Sequence, residues 1–245
     1  MKIIPVTDNS TAQQFIQVAV QLHKQDPNWI RPLDKDINEV FDKDKNKTFR
    51  FGEVIRWILK DDDGRFIGRI AAFVNKKYKN KGDDVPVGGI GFFECINDQE
   101  AADLLFNNAK HWLMQRGMEA MDGPINFGER DRWWGLITMG YFEPLYCMNY
   151  NPQYYVNLFE QYGFKLFYNQ VCFAVDAAKK ITQKTKERYE TIIENRDISM
   201  QLMDKNDLGK FAADFVTIYN KAWAGHGGLK DMSKEQVLQI GRAHV

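Results

Sequence analysis

The chain has 245 residues, 44% of them hydrophobic and 27% charged, with 33 Lys and Arg against 33 Asp and Glu and a net charge of zero. That balance argues against a nucleic-acid or anionic-membrane partner, either of which selects a basic surface, and no apolar run approaches the ~20 residues of a membrane span, so neither a nucleic acid nor a membrane is expected as a partner. Cys95, Cys147 and Cys172 form no C-x-x-C pair and sit among apolar or aromatic residues. They are expected as buried thiols of a reducing compartment. Polar residues follow Val6 directly, which is not a leader pattern, so a cytoplasmic location is expected.

In chain order, Lys2–Val6 reads as a short strand. Ser10 or Thr11 caps a helix with Phe15, Val18, Ala19 and Leu22 on one face, ended by Asp26-Pro27. Leu33, Ile37, Val40 and Phe41 mark a second short helix, and Asp42–Lys47 a charged connection. Phe51–Leu59 and Phe66–Val74 are strands joined at Asp61–Gly64, and Lys76–Asp84 is a polar loop. Val87–Ile96 is a buried strand. Asn97-Asp98 opens a helix, with Glu100 completing a capping box, and Ala101, Leu104, Leu105, Ala109, Trp112 and Leu113 recur at helical spacing up to Gly117. Met118–Asp122 is another strand, broken by Gly123-Pro124. The stretch 126–146 is irregular and holds Trp133-Trp134. Pro152–Tyr162 is a helix stopped by Gly163, Lys165–Val175 a final alternating strand, and Ala177–Asn195 a charged helical connector.

From Ile198 to Trp223 the chain reads as if it starts again, with Val6, Asp8, Phe15, Ala19 and Leu22 matched in order by Leu202, Asp204, Phe211, Phe215 and Ile218. The last six residues, Ile240–Val245, coincide with one frame of a common sequencing-adapter string. Native sequence is therefore expected to end near Gln239, leaving a fragment with a non-native tail.

The chemistry is expected around Val87–Phe127, where a strand feeds a helix N-terminus and so aims backbone N–H groups at an anion. Glu94 stands out as a carboxylate in an apolar strand. It reads either as a general base with a raised pKa or as the partner of a nearby arginine. Glu129–Trp134 interleaves charge and indoles, either to bind a ligand or to fill the core. Asn151 reads as a helix cap or a ligand contact. His23, His111 and His226 show no ligand spacing, and no metal site, G-x-S-x-G, P-loop or dinucleotide fingerprint is present.

The element order resembles the GCN5-related N-acetyltransferase (GNAT) fold. Arg65–Val74 (RFIGRIAAFV) looks like its third strand, Val87–Ile96 like the fourth strand that holds the pantetheine arm, and Asn151–Phe164 like the helix closing its second motif. Asp122–Trp134 (DGPINFGERDRWW) is similar to a group of uncharacterised bacterial proteins with two such domains in tandem. The resemblance implies an α/β fold with a GNAT-like mixed sheet flanked by helices. It implies a first domain over 1–176, a linker over 177–197 and the beginning of a second, truncated copy over 198–239, the partner being the protein's own second domain. It implies an acyl-CoA-dependent N-acyltransferase that uses acetyl-CoA or another acyl-CoA on a small-molecule or protein amine. Phe93, Cys95, Ile96, Asp98, Gln99, Glu100 and Asn151 would then contact the cofactor, with Glu94 as base and Tyr162 as acid. Two departures favour an alternative, a non-catalytic ligand-binding or scaffold domain. The loop Asn97–Ala101 has no glycine and two carboxylates where the family carries R/Q-x-x-G-x-G/A, and Phe159 stands where its proton-donating tyrosine does.

Overall fold

The computed structural model describes residues 1–78, 84–128, 130–199, 201–224 and 231–243. Much of the expected loop Lys76–Asp84, Glu129 of the charged-aromatic run, His226, and the side chains of the expected tail 240–245 lie outside the described residues. The chain divides into two units, Met1–Tyr168 and Asn169–Val245.

The first unit is built on a five-stranded sheet in the order β1 (Lys2–Pro5), β2 (Gly52–Lys60), β3 (Phe66–Asn75), β4 (Val87–Cys95), β5 (Ala120–Asp122). Neighbours are antiparallel except β4 and β5, which are parallel. That pair requires a crossover helix, α3 (Gln99–Met114), between them. The tip between β2 and β3 is set by chemistry its sequence advertises: Asp61 Oδ1 accepts from the Arg65 N–H at 2.8 Å, and Gly64 supplies a φ of 80°.

Alternation along β2 and β3 sends side chains to two faces. Trp57, Leu59, Ile70 and Ala72 join Leu105, Phe106 and Ala109 of α3 and Tyr155, Leu158 and Phe159 of α4 (Tyr154–Tyr162) in the main core. Ile58 and Ala71 meet Phe15 and Val18 of α1 (Asn9–His23) on the opposite face. A short α2 (Asp34–Val40) follows α1. The α/β class and the mixed sheet flanked by helices are thus those expected.

Several details differ. The α1 cap is Asp8, in a reciprocal box with Thr11. The α3 cap is Asp98, not Asn97; both residue types cap well, and the helix starts one position later than expected. Lys165–Val175 is not a strand. Its apolar residues, Phe173 and Val175 among them, are exposed, and so is Cys172, whereas Cys95 and Cys147 are buried.

In the second unit the expected connector helix is α5 (Gln183–Glu194), with no buried residue. The expected strand after Ile198 is absent among the described residues, while the expected amphipathic helix is α6 (Leu208–Ala222). It packs with α7 (Lys234–Ala243), and Asn220 of α6 clasps both backbone groups of Met232, at 2.9 and 3.1 Å.

Candidate functional site

β4 and β5 pair only from Val87 to Gly89, and beyond that the chain after β5 leaves the strand direction at Gly123-Pro124. β4 also carries a bulge. Arg69 faces Glu94 and Ala71 faces Gly91, so β4 spends one residue more than β3 over the same span. Phe92 absorbs it with a φ of 50°, unusual for a residue with a Cβ. The bulge re-aims the end of β4 and turns Glu94 into a cavity between the sheet, α1 and the segments 29–37 and 124–151. The cavity measures about 80 Å³, room for several water molecules. Its walls are mostly apolar and aromatic, including Trp29, Ile30, Phe92, Trp133, Leu136 and Tyr150.

Glu94 is the buried carboxylate of this cavity, held by three elements. His23 Nε2, at the end of α1, lies 2.6 Å from its Oε2. The Tyr155 hydroxyl of α4 donates to the same oxygen at 2.8 Å. Arg69 of β3 donates from one terminal nitrogen to Oε1 at 3.2 Å and from the other to the Phe15 carbonyl at 2.8 Å. Burial pushes the Glu94 carboxyl up, but the charges and hydrogen bonds of His23, Arg69 and Tyr155 outweigh it and hold the pKa below the ordinary carboxylate value. The expected raised pKa is therefore corrected: an apolar strand does not make an apolar environment when the neighbouring elements bring donors. Burial also lowers the pKa of Arg69, which Glu94 opposes, and its Nε has no acceptor among the described residues.

His23 stacks on Trp29 at 5.3 Å between centroids, and the Tyr150 hydroxyl at the cavity wall donates to Asp26 at 2.6 Å. Among the described residues, no three His, Cys, Asp or Glu side chains are placed to hold a metal ion.

The other sequence-derived candidates fall in three places. Phe93 lines the cavity and stacks on Phe106 at 4.7 Å. Cys95 works through its backbone: its N–H donates to the Tyr155 hydroxyl at 2.9 Å and its carbonyl accepts from Tyr154 at 2.8 Å. Ile96 donates its N–H to Ile67. Asp98 Oδ1 takes the N–H groups of Glu100 and Ala101 at 2.9 and 3.3 Å, while the Gln99 side chain donates to Asp103 and to the Leu158 carbonyl.

Asn151 does not cap α4. It is buried at the cavity wall, where Oδ1 accepts from the Ile137 N–H at 2.8 Å and Nδ2 donates to the Ile137 carbonyl at 3.1 Å, fixing the irregular segment to the helix. Tyr162 lies off the cavity. Its hydroxyl donates to Asn107 of α3 at 2.9 Å, so it does not reach Glu94, whereas Tyr155 does. Trp133 packs on Phe92 at 5.3 Å in the cavity wall, and Trp134 packs on Tyr78.

His23 and Arg69 are Glu94 partners in the candidate site that the sequence reading missed. A signal existed for each, a polar residue on the buried stripe of a helix and a charge inside an apolar strand. Because Asp98 satisfies two end groups of α3, Asp98→Ala is expected to cost about 1 kcal/mol, read as a lower melting temperature with the Glu94 cluster intact.

No protein-family model matches the chain. It is similar to a bacterial ceramide synthase of Caulobacter vibrioides, 24% identical over a gapped alignment of 247 positions that covers 99% of this chain and 63% of that protein. It is also similar to protein YghO of Escherichia coli, 29% identical over a gapped alignment of 156 positions that covers 61% of this chain and 38% of that protein. The chain thus spans less than two thirds of the length of either relative. Among solved structures, the aminoglycoside 6'-N-acetyltransferase AAC(6')-Ig of Acinetobacter haemolyticus is 14% identical, with 74% of this chain and all of that one aligned at a TM-score of 0.42. Glucosamine-6-phosphate N-acetyltransferase of Arabidopsis thaliana is 9% identical, with 72% of this chain and all of that one aligned at a TM-score of 0.40.

Proposed function

We propose that the cavity is the acceptor site of an N-acyltransferase and receives an amine carrying an apolar chain. The observation that carries this reading is a buried carboxylate, Glu94, at the base of a cavity walled by apolar and aromatic residues. Forming an amide requires the amine to lose a proton, and a low-dielectric cavity favours the neutral, nucleophilic amine. Glu94 Oε2 is engaged by His23 and Tyr155, while Oε1 meets Arg69 alone among the described residues, at the longest of the three distances, 3.2 Å. Oε1 is therefore the oxygen with capacity for an incoming ammonium and the acceptor for the proton that it sheds. Arg69 Nε offers a donor to a hydroxyl or carbonyl oxygen beside it.

The relative matched over nearly the whole chain supports the same reading. A ceramide is an amide of a long-chain amine, so a ceramide synthase forms an N-acyl bond to an amphiphile.

At the start of α3 the diphosphate of the acyl-CoA implied by the resemblance competes with the protein's own groups. Asp98 already satisfies the N–H groups a diphosphate would use, Glu100 adds a second negative charge, and Tyr154 and Tyr155 take both backbone groups of Cys95. The same observation favours the second reading, a binding module that holds the amine for chemistry performed by residues elsewhere.

The test is melting of the full chain with a medium-chain primary amine below its micelle concentration, against the alcohol of equal length. Saturating amine at about a hundred times its Kd stabilises by roughly 2.7 kcal/mol. The amine is expected to raise the melting temperature more than the alcohol, and Leu136→Trp, which fills the cavity, to remove the difference. Equal shifts for amine and alcohol would exclude the acceptor reading. Amide product detected by mass spectrometry with acyl-CoA would then separate the enzyme from the binding module.

A further inference from the structure

The cavity opens beside an apolar collar. Ile30 lines the cavity and is half-exposed, and Leu33 follows it on the same segment. Across the opening Pro144 lies in the wall, and its neighbours Phe142 and Leu145 are each 79% exposed. Met139 and Tyr146 extend the exposed run. The two segments are tied together: Asn28 Nδ2 donates to the Tyr141 carbonyl at 3.1 Å, and the Tyr146 hydroxyl donates to Asp36 at 2.7 Å. Six large exposed apolar side chains on two tied segments that both contribute to the cavity wall are of the kind that marks a contact surface.

Charge narrows the choice of partner. The segments 28–36 and 139–147 carry two basic residues, Arg31 and Lys35, against three acidic ones, Asp34, Asp36 and Glu143. Arg31 is paired with Asp34 and Lys35 with Glu39. The collar has no basic cluster for anionic headgroups and no charge pattern that selects a protein. A protein seated on the collar would also seal the cavity, whereas a lipid surface both covers the apolar side chains and holds amphiphiles at the opening.

We propose that the collar docks on a lipid surface, by apolar insertion rather than charge, so that the cavity takes its amphiphilic amine directly from the bilayer. The source of the substrate rests on the acceptor reading of the cavity; the surface contact is measured independently of it.

The experiment is flotation of the full chain with neutral phosphatidylcholine vesicles at low and high salt. The chain is expected to float equally at both, because no screened charge contributes. Phe142→Ser/Leu145→Ser is expected to lower the partition coefficient by about tenfold or more, since both side chains lose their buried area. Phe173→Ser/Val175→Ser, which removes exposed apolar side chains of the second unit, is expected to float like the parent. Failure to float, flotation abolished by salt, or a collar variant that floats like the parent would each overturn the proposal. So would collar-dependent self-association without flotation, which would assign the patch to a second copy. Leu136→Trp should float normally while losing the amine shift. Flotation without an amine shift removes the acceptor reading alone, and an amine shift without flotation removes the collar alone.

Discussion

Glu94→Gln is expected to lower the melting temperature of the chain by roughly 6–20 °C at neutral pH. The side chain keeps its shape, but the negative charge that balances Arg69 is gone, and Arg69 is 4% exposed with no other carboxylate bonded to it among the described residues. Breaking a buried pair from one side costs about 3–5 kcal/mol, and a domain of this size loses about 2–4 °C per kcal/mol. Arg69→Met in the Glu94→Gln background is expected to recover much of that loss, because the stranded charge leaves with the arginine.

The pH dependence has a definite sign. The folded-state pKa of Glu94 is lowered, so its stabilisation is complete above the unfolded-state value near 4.3 and is lost as pH falls through the folded value. Wild type should therefore converge on Glu94→Gln in acid and diverge from it above about pH 5, read by thermal melts across that range. A gap that persists unchanged into strong acid would mean that the carboxylate is not the stabilising group.

Gly91→Ala is expected to destabilise by about 1–3 kcal/mol or more and to disturb the cavity together with the fold. A Cβ there would run into the carbonyl oxygen of Ile125, which is backbone and has no rotamer to escape into. The same segment is pinned beside β4 by the Ile125 N–H, which donates to the Ile90 carbonyl at 2.7 Å. Accommodating the methyl group means moving Ile125, and with it the start of the 124–151 wall that carries Trp133. Gly64→Ala is the comparison. It has a φ of 80° but nothing within 4 Å, so it carries backbone strain without collision and costs about 1 kcal/mol. Urea unfolding should separate the two, with a change in tryptophan emission for Gly91→Ala alone. Equal stabilities would show that the segment after β5 shifts freely.

Much of the first unit was legible because its signals are local. The hairpin at Asp61–Gly64 follows from turn chemistry, and α3 from apolar recurrence between a capping residue and Gly117. The strand expected over Lys165–Val175 shows the limit of periodicity. Alternation tells which side chains would share a face, but a strand also needs a neighbour to pair with, and no residue in that stretch announces one. Within the site, Glu94 was conspicuous as a charge in an apolar run. Its partners were not, because His23 and Arg69 lie 71 and 25 residues away in sequence and meet it only through the sheet order. The tyrosines of α4 make the same point at short range. Tyr155 and Tyr162 share a helix face, yet seven residues are about 10 Å along the axis, which places one hydroxyl on Glu94 and the other on Asn107.

The uneven burial of the cysteines has a practical consequence. Cys95 is enclosed beneath α4, and burial with the nearby Asp98 and Glu94 charges pushes its thiol up to about 12, so almost no thiolate exists at neutral pH. Cys147 is buried and raised as well. Cys172 is exposed. Maleimide chemistry on the native protein thus singles out one position without any mutation. A fluorophore there reports from the second unit, while the two silent thiols become reactive only when the first unit opens, turning the chain's own cysteines into a clock for its unfolding.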